Sequence, residues 1–206
     1  GGDAGEWTAI GSQTFANSSI SGVAPRGDTI VVAVTADSYG DCVDTPAEDS
    51  LYLPDVTNVG IFLGTADDNG HYSFALHSGT PDSGLPKGCA FDLASDPNDA
   101  TRLVTAISLT QESGEATDKN GIYLSTDTGA TWDKIGSLID SNHTNNVEFA
   151  IAPNGRIYVG VVNDGQLDNI YYEDELSDDF DIDTDGETDE ANEAQFWAMD
   201  IPSVLG

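Results

Sequence analysis

The sequence predicts an all-β fold made of repeated four-stranded antiparallel units, and three observations predict it. Short segments rich in Val, Ile, Phe and Tyr recur along the chain, each is bounded by Gly, Pro, Asn or Asp, and the same set returns in the same order about every sixty residues. β-Branched and aromatic side chains suit a pleated backbone, and the bounding residues suit turns. No sustained apolar period of 3.6 residues competes with this pattern.

Four passages led by an aromatic residue set the register: W-T-A-I-G at Trp7, F-A-L-H-S-G at Phe74, W-D-K-I-G at Trp132 and F-W-A-M-D-I at Phe196. Between them the first strands read I-S-G-V-A-P (Ile20 to Pro25), A-F-D-L-A-S-D-P (Ala90 to Pro97) and E-F-A-I-A-P-N (Glu148 to Asn154). The second strands are T-I-V-V-A-V, R-L-V-T-A-I and R-I-Y-V-G-V-V, and the third V-G-I-F-L-G-T, N-G-I-Y-L-S-T and D-N-I-Y-Y-E-D. The fourth strand begins at each aromatic. The expected repeat units are therefore about 7–73, 74–131 and 132–206, with an acidic insertion at 173–193.

Charge narrows the partners. The 206 residues carry 37 acidic against 6 basic side chains, a formal net charge of −31. Nucleic acid and anionic membranes both require positive charge, so neither is expected, and cations are the natural counterpart. No apolar run approaches the roughly 18 residues that span a bilayer, so membrane insertion is not expected either. Abundant Asp, Ser, Thr, Asn and Gly with almost no Lys suits an extracellular, cell-surface or periplasmic protein, or a saline habitat. The two cysteines, Cys42 and Cys89, permit one disulfide without requiring it.

The stretch G-I-Y-L-S-T-D-T-G-A-T-W (Gly121 to Trp132) resembles the Asp-box of the BNR-repeat, sialidase-like β-propellers, whose pattern is S-x-D-x-G-x-T-W between the third and fourth strands of a blade. Ser125, Asp127, Gly129 and Trp132 meet it fully, whereas G-T-A-D-D-N-G-H-Y-S-F (Gly64 to Phe74) and G-G-D-A-G-E-W (Gly1 to Trp7) are degraded versions. The resemblance implies a β-propeller of which about three blades are present. A closed ring takes typically 4–8 blades, so the expectation is part of a larger propeller, completed by further blades or another subunit. Chemically the box residues read as structural: the Asp accepts backbone N–H groups, the Gly takes positive φ, and the Trp packs between blades.

In that architecture the loops joining second to third strands share a face with those joining successive blades. Cys42 lies in the first such loop and Cys89 just before the next blade, which points to a Cys42–Cys89 disulfide and an oxidising compartment, against two buried free thiols. The insertion at 173–193 holds 12 of the 37 carboxylates and would repel itself unneutralised. Within it D-I-D-T-D-G-E-T-D-E-A-N resembles a calcium loop of the EF-hand or thrombospondin type 3 kind. Asp181, Asp183 and Asp185 stand at positions 1, 3 and 5, Gly186 at 6, Glu187 at 7 through its carbonyl and Asp189 at 9. Position 12 is Asn192 in place of Glu, and a solvated acidic loop is the competing reading.

A catalytic site is harder to find. Sialidases of this fold hold their substrate with three arginines, but Arg26, Arg102 and Arg156 occupy equivalent places just before each second strand, where they do not converge. His71, His77 and His143 show no metal-ligand spacing and no nucleophile motif accompanies them. The favoured reading is a non-enzymatic secreted or surface scaffold with a protein or glycan partner and a calcium-ordered loop. The alternative is a fragment of a sialidase-like or xyloglucanase-like glycoside hydrolase.

Overall fold

Twelve strands in three four-stranded antiparallel sheets make up the computed structural model, which describes residues 8–16, 18–36, 58–108, 119–140, 143–173 and 196–199. Sheet 1 takes β1 (Ser19–Arg26), β2 (Thr29–Thr35), β3 (Gly60–Ala66) and β4 (Tyr72–Leu76). Sheet 2 takes β5 (Cys89–Ser95), β6 (Leu103–Ser108), β7 (Gly121–Ser125) and β8 (Asp133–Gly136). Sheet 3 takes β9 (Thr144–Ile151), β10 (Ile157–Asn163), β11 (Gln166–Glu173) and β12 (Trp197–Ala198). Each sheet is a simple meander in chain order, and no α-helix occurs among the described residues. The protein is thus all-β, built of four-stranded propeller-type blades.

Every strand anticipated in the three repeats appears, except that Thr8–Ile10, following Trp7, are not in a strand. A strand exists only where a ladder satisfies its backbone groups, and these residues have no such partner among those described. The repeat units are also offset from the sheets by one strand. The aromatic that opens a unit belongs to, or immediately precedes, the strand that closes the preceding sheet: Phe74 in β4, Trp132 before β8, Phe196 before β12.

Alternation along the strands gives sheets 1 and 2 two buried apolar faces and sheet 3 one, because successive side chains point to opposite sides. In sheet 1 the pairs Val31↔Leu63 and Ala33↔Ile61 face sheet 2, while Val32 and Val34 share the opposite face with Phe62. In sheet 2 the corresponding Val104↔Leu124 and Ala106↔Ile122 face sheet 3, and Leu103, Ile107 and Tyr123 face sheet 1. In sheet 3, Ile157, Val159 and Val161 close the second interface against sheet 2. The first strands β1, β5 and β9 pack side by side, so the blades are stacked in chain order around one edge.

Two ties lock this stacking. The Ser21 hydroxyl donates to the Ala90 carbonyl at 2.6 Å, joining β1 to β5. Asp92, beside a bulge in β5, accepts the Leu93 N–H on one oxygen and the Phe149 N–H of β9 on the other, both at 2.7 Å. Gly22 is needed for the close approach of β1 and β5, since a Cβ there would stand 2.6 Å from the Cβ of Leu93. The free face of sheet 1 is closed by the turn over residues 11–16, whose Phe15 packs edge-on against Phe62 and Phe74 at 5.3 and 4.9 Å.

Candidate functional site

The turn joining β7 to β8 is organised by two side chains. Ser125 accepts the Gly129 N–H at 2.8 Å and donates to Asp127 at 2.9 Å. Asp127 in turn accepts the Thr131 N–H at 2.8 Å and the Thr131 hydroxyl at 2.7 Å. Thr128 and Gly129 both take positive φ, 69° and 89°, which the two side-chain caps hold in place. Trp132 is 2% exposed, donates its indole N–H to the Gly129 carbonyl at 3.0 Å and packs among Val31, Ile61 and Leu103 between sheets 1 and 2. Partial burial, the largest single influence, pushes the Asp127 carboxyl up, but the Thr131 and Ser125 bonds together hold it below the usual carboxylate value. These four residues shape the turn, and their polar atoms are turned inward on it.

The degraded match in sheet 1 is built the same way. Asp67 accepts the His71 N–H at 2.8 Å and the Asn69 N–H at 2.9 Å, and its second oxygen meets His71 Nδ1 at 3.3 Å. The cap again spans four residues, with His71 in the place of Thr131. Tyr72 is only half-buried there, so the turn keeps its carboxylate cap and loses the buried Trp.

Beside the β7–β8 turn lies a cavity of about 520 Å³, lined by the loop at Gly79–Pro81 and Gly84–Pro86 and by Lys119, Tyr123, Trp132, Asp133 and Lys134. Its two walls are fastened together. His77 Nε2 donates to the Ala130 carbonyl at 2.8 Å, and the Trp132 N–H donates to the Ser83 carbonyl at 3.0 Å. Gly84, at φ 73°, lies so close to the Trp132 carbonyl that a Cβ would stand 2.0 Å from its oxygen, so only glycine fits. The Tyr123 hydroxyl donates to the Lys119 carbonyl and fixes the third side. Asp133 is pushed above the usual carboxylate value by partial burial and then by the charge of Asp127. Two of the chain's three lysines thus border one cavity, a signal that their scarcity in the sequence could have raised.

The arginines are structural neighbours of their own turns. Arg102 pairs with the buried Asp96 at 3.0 Å, Arg156 lies over the rings of Tyr172 and Tyr158 at 5.0 and 5.9 Å, and Arg26 donates to the Pro25 carbonyl. The partner of Arg102 is therefore an acid in the β5–β6 turn. His143 bonds Asp140 at 2.9 Å, which raises its pKa above the ordinary histidine value. Cys89 is fully buried at the start of β5, and no free cysteine occurs among the described residues. Cys42 and the proposed calcium ligands Asp181, Asp183, Asp185, Glu187 and Asp189 lie outside the described residues. Within them, no group of three or more His, Cys, Asp or Glu gathers at one point.

Stacked blades and a capped turn define the class of fold. No protein-family model matches the chain, and no curated protein matches it. Among solved structures it is similar to an ancestral GH74 enzyme, with 13% identity and a TM-score of 0.43 over 76% of this chain. The match spans 19% of that enzyme's chain.

Proposed function

We propose that these residues are consecutive blades of a BNR-type β-propeller that serves as a non-enzymatic binding and assembly scaffold, and that the free face of sheet 3 receives a further four-stranded blade. The observation that carries this reading is a positional equivalence. Val31, Ala33, Ile61 and Leu63 of sheet 1 face sheet 2, and Val104, Ala106, Ile122 and Leu124 of sheet 2 face sheet 3. At the same ladder positions sheet 3 presents Tyr158, Gly160, Ile170 and Tyr172, all half-buried and facing no further sheet among the described residues, with Trp197 paired to Tyr172 and 55% exposed. A face that is fully buried twice in the repeat and only half-buried by the described residues the third time suits an interface with a next member.

Three features accompany the proposal. A Cys42–Cys89 disulfide, supported by the buried Cys89 and the lack of a free described cysteine, pins the long β2–β3 loop and fits an extracellular, surface or periplasmic setting. Calcium binds the acidic segment through Asp181, Asp183, Asp185, Glu187 and Asp189, supported by the alternate carboxylates and Gly186. Protein or glycan partners engage the loops. A chelator should then lower the melting temperature and expose residues 173–193 to protease, because an ion bound only to the folded state stabilises it.

The scaffold reading is tested by comparing masses. Light scattering on the native protein, beside the denatured mass with and without reductant, should give either a chain well above 21.6 kDa or an assembly of several chains. A native monomer of 21.6 kDa would overturn it. The glycoside hydrolase reading keeps one favourable observation, the two carboxylates Asp92 and Glu148 on the neighbouring first strands β5 and β9. Asp92 spends both oxygens on backbone N–H groups, which suits a tie better than an acid catalyst. Hydrolysis of xyloglucan or a sialoside by the native protein, lost in Asp92→Asn, would reverse that preference.

A further inference from the structure

We infer that the outer face of sheet 1, with residues 8–10 beside it, is the docking surface for a three-stranded antiparallel sheet that takes residues 8–10 as its fourth strand. The partner is thus a blade that lacks its outermost strand and has an open edge on its third. This surface lies at the end of the stack opposite the free face of sheet 3. It rests on the blade stacking proposed above, and it would remain if sheet 3 proved to end the stack.

The repeat sets residues 8–10 in the place of a fourth strand. W-T-A-I-G, ending at Gly11, follows the pattern of W-D-K-I-G, ending at Gly136, and seven residues separate each glycine from the next first strand, β1 at Ser19 or β9 at Thr144. Residues 133–136 form β8 and pair with β7, whereas residues 8–10 are exposed and make no hydrogen bond to a described residue. The two glycines are nevertheless held alike. A Cβ on Gly136 would stand 2.6 Å from Phe196, which leads into β12 of the following sheet, and a Cβ on Gly11 would stand 2.9 Å from Phe74 of β4. Gly11 therefore sits over sheet 1 as Gly136 sits over sheet 3, with no counterpart of β7 beside it among the described residues.

Burial at equivalent positions shows what covers such a surface. Ile135 of β8 is fully buried, and its counterpart Ile10 is 47% exposed. On the first strands Ile20, Ala90 and Val147 hold the same ladder position, opposite Val34, Ile107 and Val161. Ala90 and Val147 are fully buried at the junctions with the preceding sheets, while Ile20 is 50% exposed. Val23 repeats the contrast at 57%, against 7% for its counterpart Leu93. Single exposed apolar residues need no explanation, but three at positions that the repeat elsewhere buries mark an interface.

The same equivalence defines the partner. Its covering face carries small and branched aliphatic side chains, as Val31, Ala33, Ile61 and Leu63 do where sheet 1 meets sheet 2. Its third strand pairs with residues 8–10 through the backbone, and the alternation of side chains fixes the register. A second copy of sheets 1 to 3 does not fit, since each already has its fourth strand, β4, β8 or β12.

The test is amide hydrogen exchange of the native protein, read at residues 8–10 with β8 as the internal standard. A docked sheet should slow exchange there about 100-fold relative to an unpaired chain, and Ile20→Asp combined with Val23→Asp should restore the unpaired rate. If that pair fails to fold, Ile10→Asp, outside any ladder, decides in its place by release of Ile20 and Val23 to solvent. Slow exchange at residues 8–10 with Trp197 still open to solvent would support this surface and overturn only the interface at sheet 3. Exchange at the unpaired rate in the native protein, or slow exchange that survives the substitutions, would overturn the inference. Slow exchange in the 206-residue chain on its own would overturn it as well, showing pairing within the chain if constant and a second copy as the occupant if it grows with concentration.

Discussion

Sheets 2 and 3 have the same strand order and the same register between their two central strands, yet among the described residues one is buried on both faces and the other on only one. Sheet 2 places Leu103, Ile107 and Tyr123 against sheet 1 and Val104, Ala106 and Ile122 against sheet 3. Sheet 3 keeps the aliphatic set Ile157, Val159 and Val161 on its covered face and turns tyrosines, a glycine and an exposed Trp to the other. Burial is therefore set by what stacks on a blade and not by the blade itself. Tyrosine suits a face that meets water in one state and protein in another, because its ring is apolar and its hydroxyl is not.

The sharpest way to break this comparison is to place the same charge at equivalent positions. Ala106→Asp buries an unpaired carboxylate between sheets 2 and 3 and should cost several kcal/mol, enough to unfold a marginally stable domain. Gly160→Asp, on the free face of sheet 3 and opposite Glu148, should cost the lone chain no more than about 1 kcal/mol while blocking assembly. Urea unfolding of the two variants would show the difference, and equal losses would mean that the free face is already covered. Next in size, Trp132→Ala should cost about 3–5 kcal/mol because it empties the interface between sheets 1 and 2, whereas Trp197→Ala should be nearly silent in the lone chain.

Smaller effects separate the two turns. Asp127→Ala removes a cap from backbone and side-chain donors and should cost about 1–2 kcal/mol, against less for Asp67→Ala in its more exposed turn. Because Asp127 is held below its ordinary value of 3.8, its contribution is complete above that pH and is lost as pH falls through the lower folded value. Unfolding curves between pH 2 and 5 should flatten in Asp127→Ala. The smallest effect belongs to His143, whose pKa is raised by its bond to Asp140 and then by the charges of Asp140 and Asp164. That contribution is complete below about pH 6.5 and fades as pH rises through the raised value, so an NMR titration of His143 should move down in Asp140→Asn.

Much of the architecture was legible because the repeat encodes it locally. Phe74, Trp132 and Phe196 mark the fourth strand in all three sheets, and Val, Ile and Tyr alternate in the strands between. The β7–β8 turn was legible for the same reason: its donors and acceptors lie within eight residues. The Asp67 cap was harder to see, since its Asn69, Gly70 and His71 do not spell the pattern that Asp127 obeys, although a four-residue span from carboxylate to N–H is common to both. Of the cavity, the sequence holds no sign beyond the scarcity of its lysines. Pro81 of the β4–β5 loop, Lys119 before β7 and Lys134 in β8 are far apart in sequence and meet only in the folded chain, and nothing in their local sequence announces it.

The central claim is that the Tyr158–Tyr172 face of sheet 3 is an interface. Hydroxyl-radical footprinting of the native protein reads it directly, with Trp197 and Met199, 55% and 39% exposed in these blades alone, as the reporters. The account predicts strong protection of both in the native assembly and full reactivity in the isolated 206-residue chain. Equal reactivity in the two would contradict it and leave sheet 3 as a true outer surface.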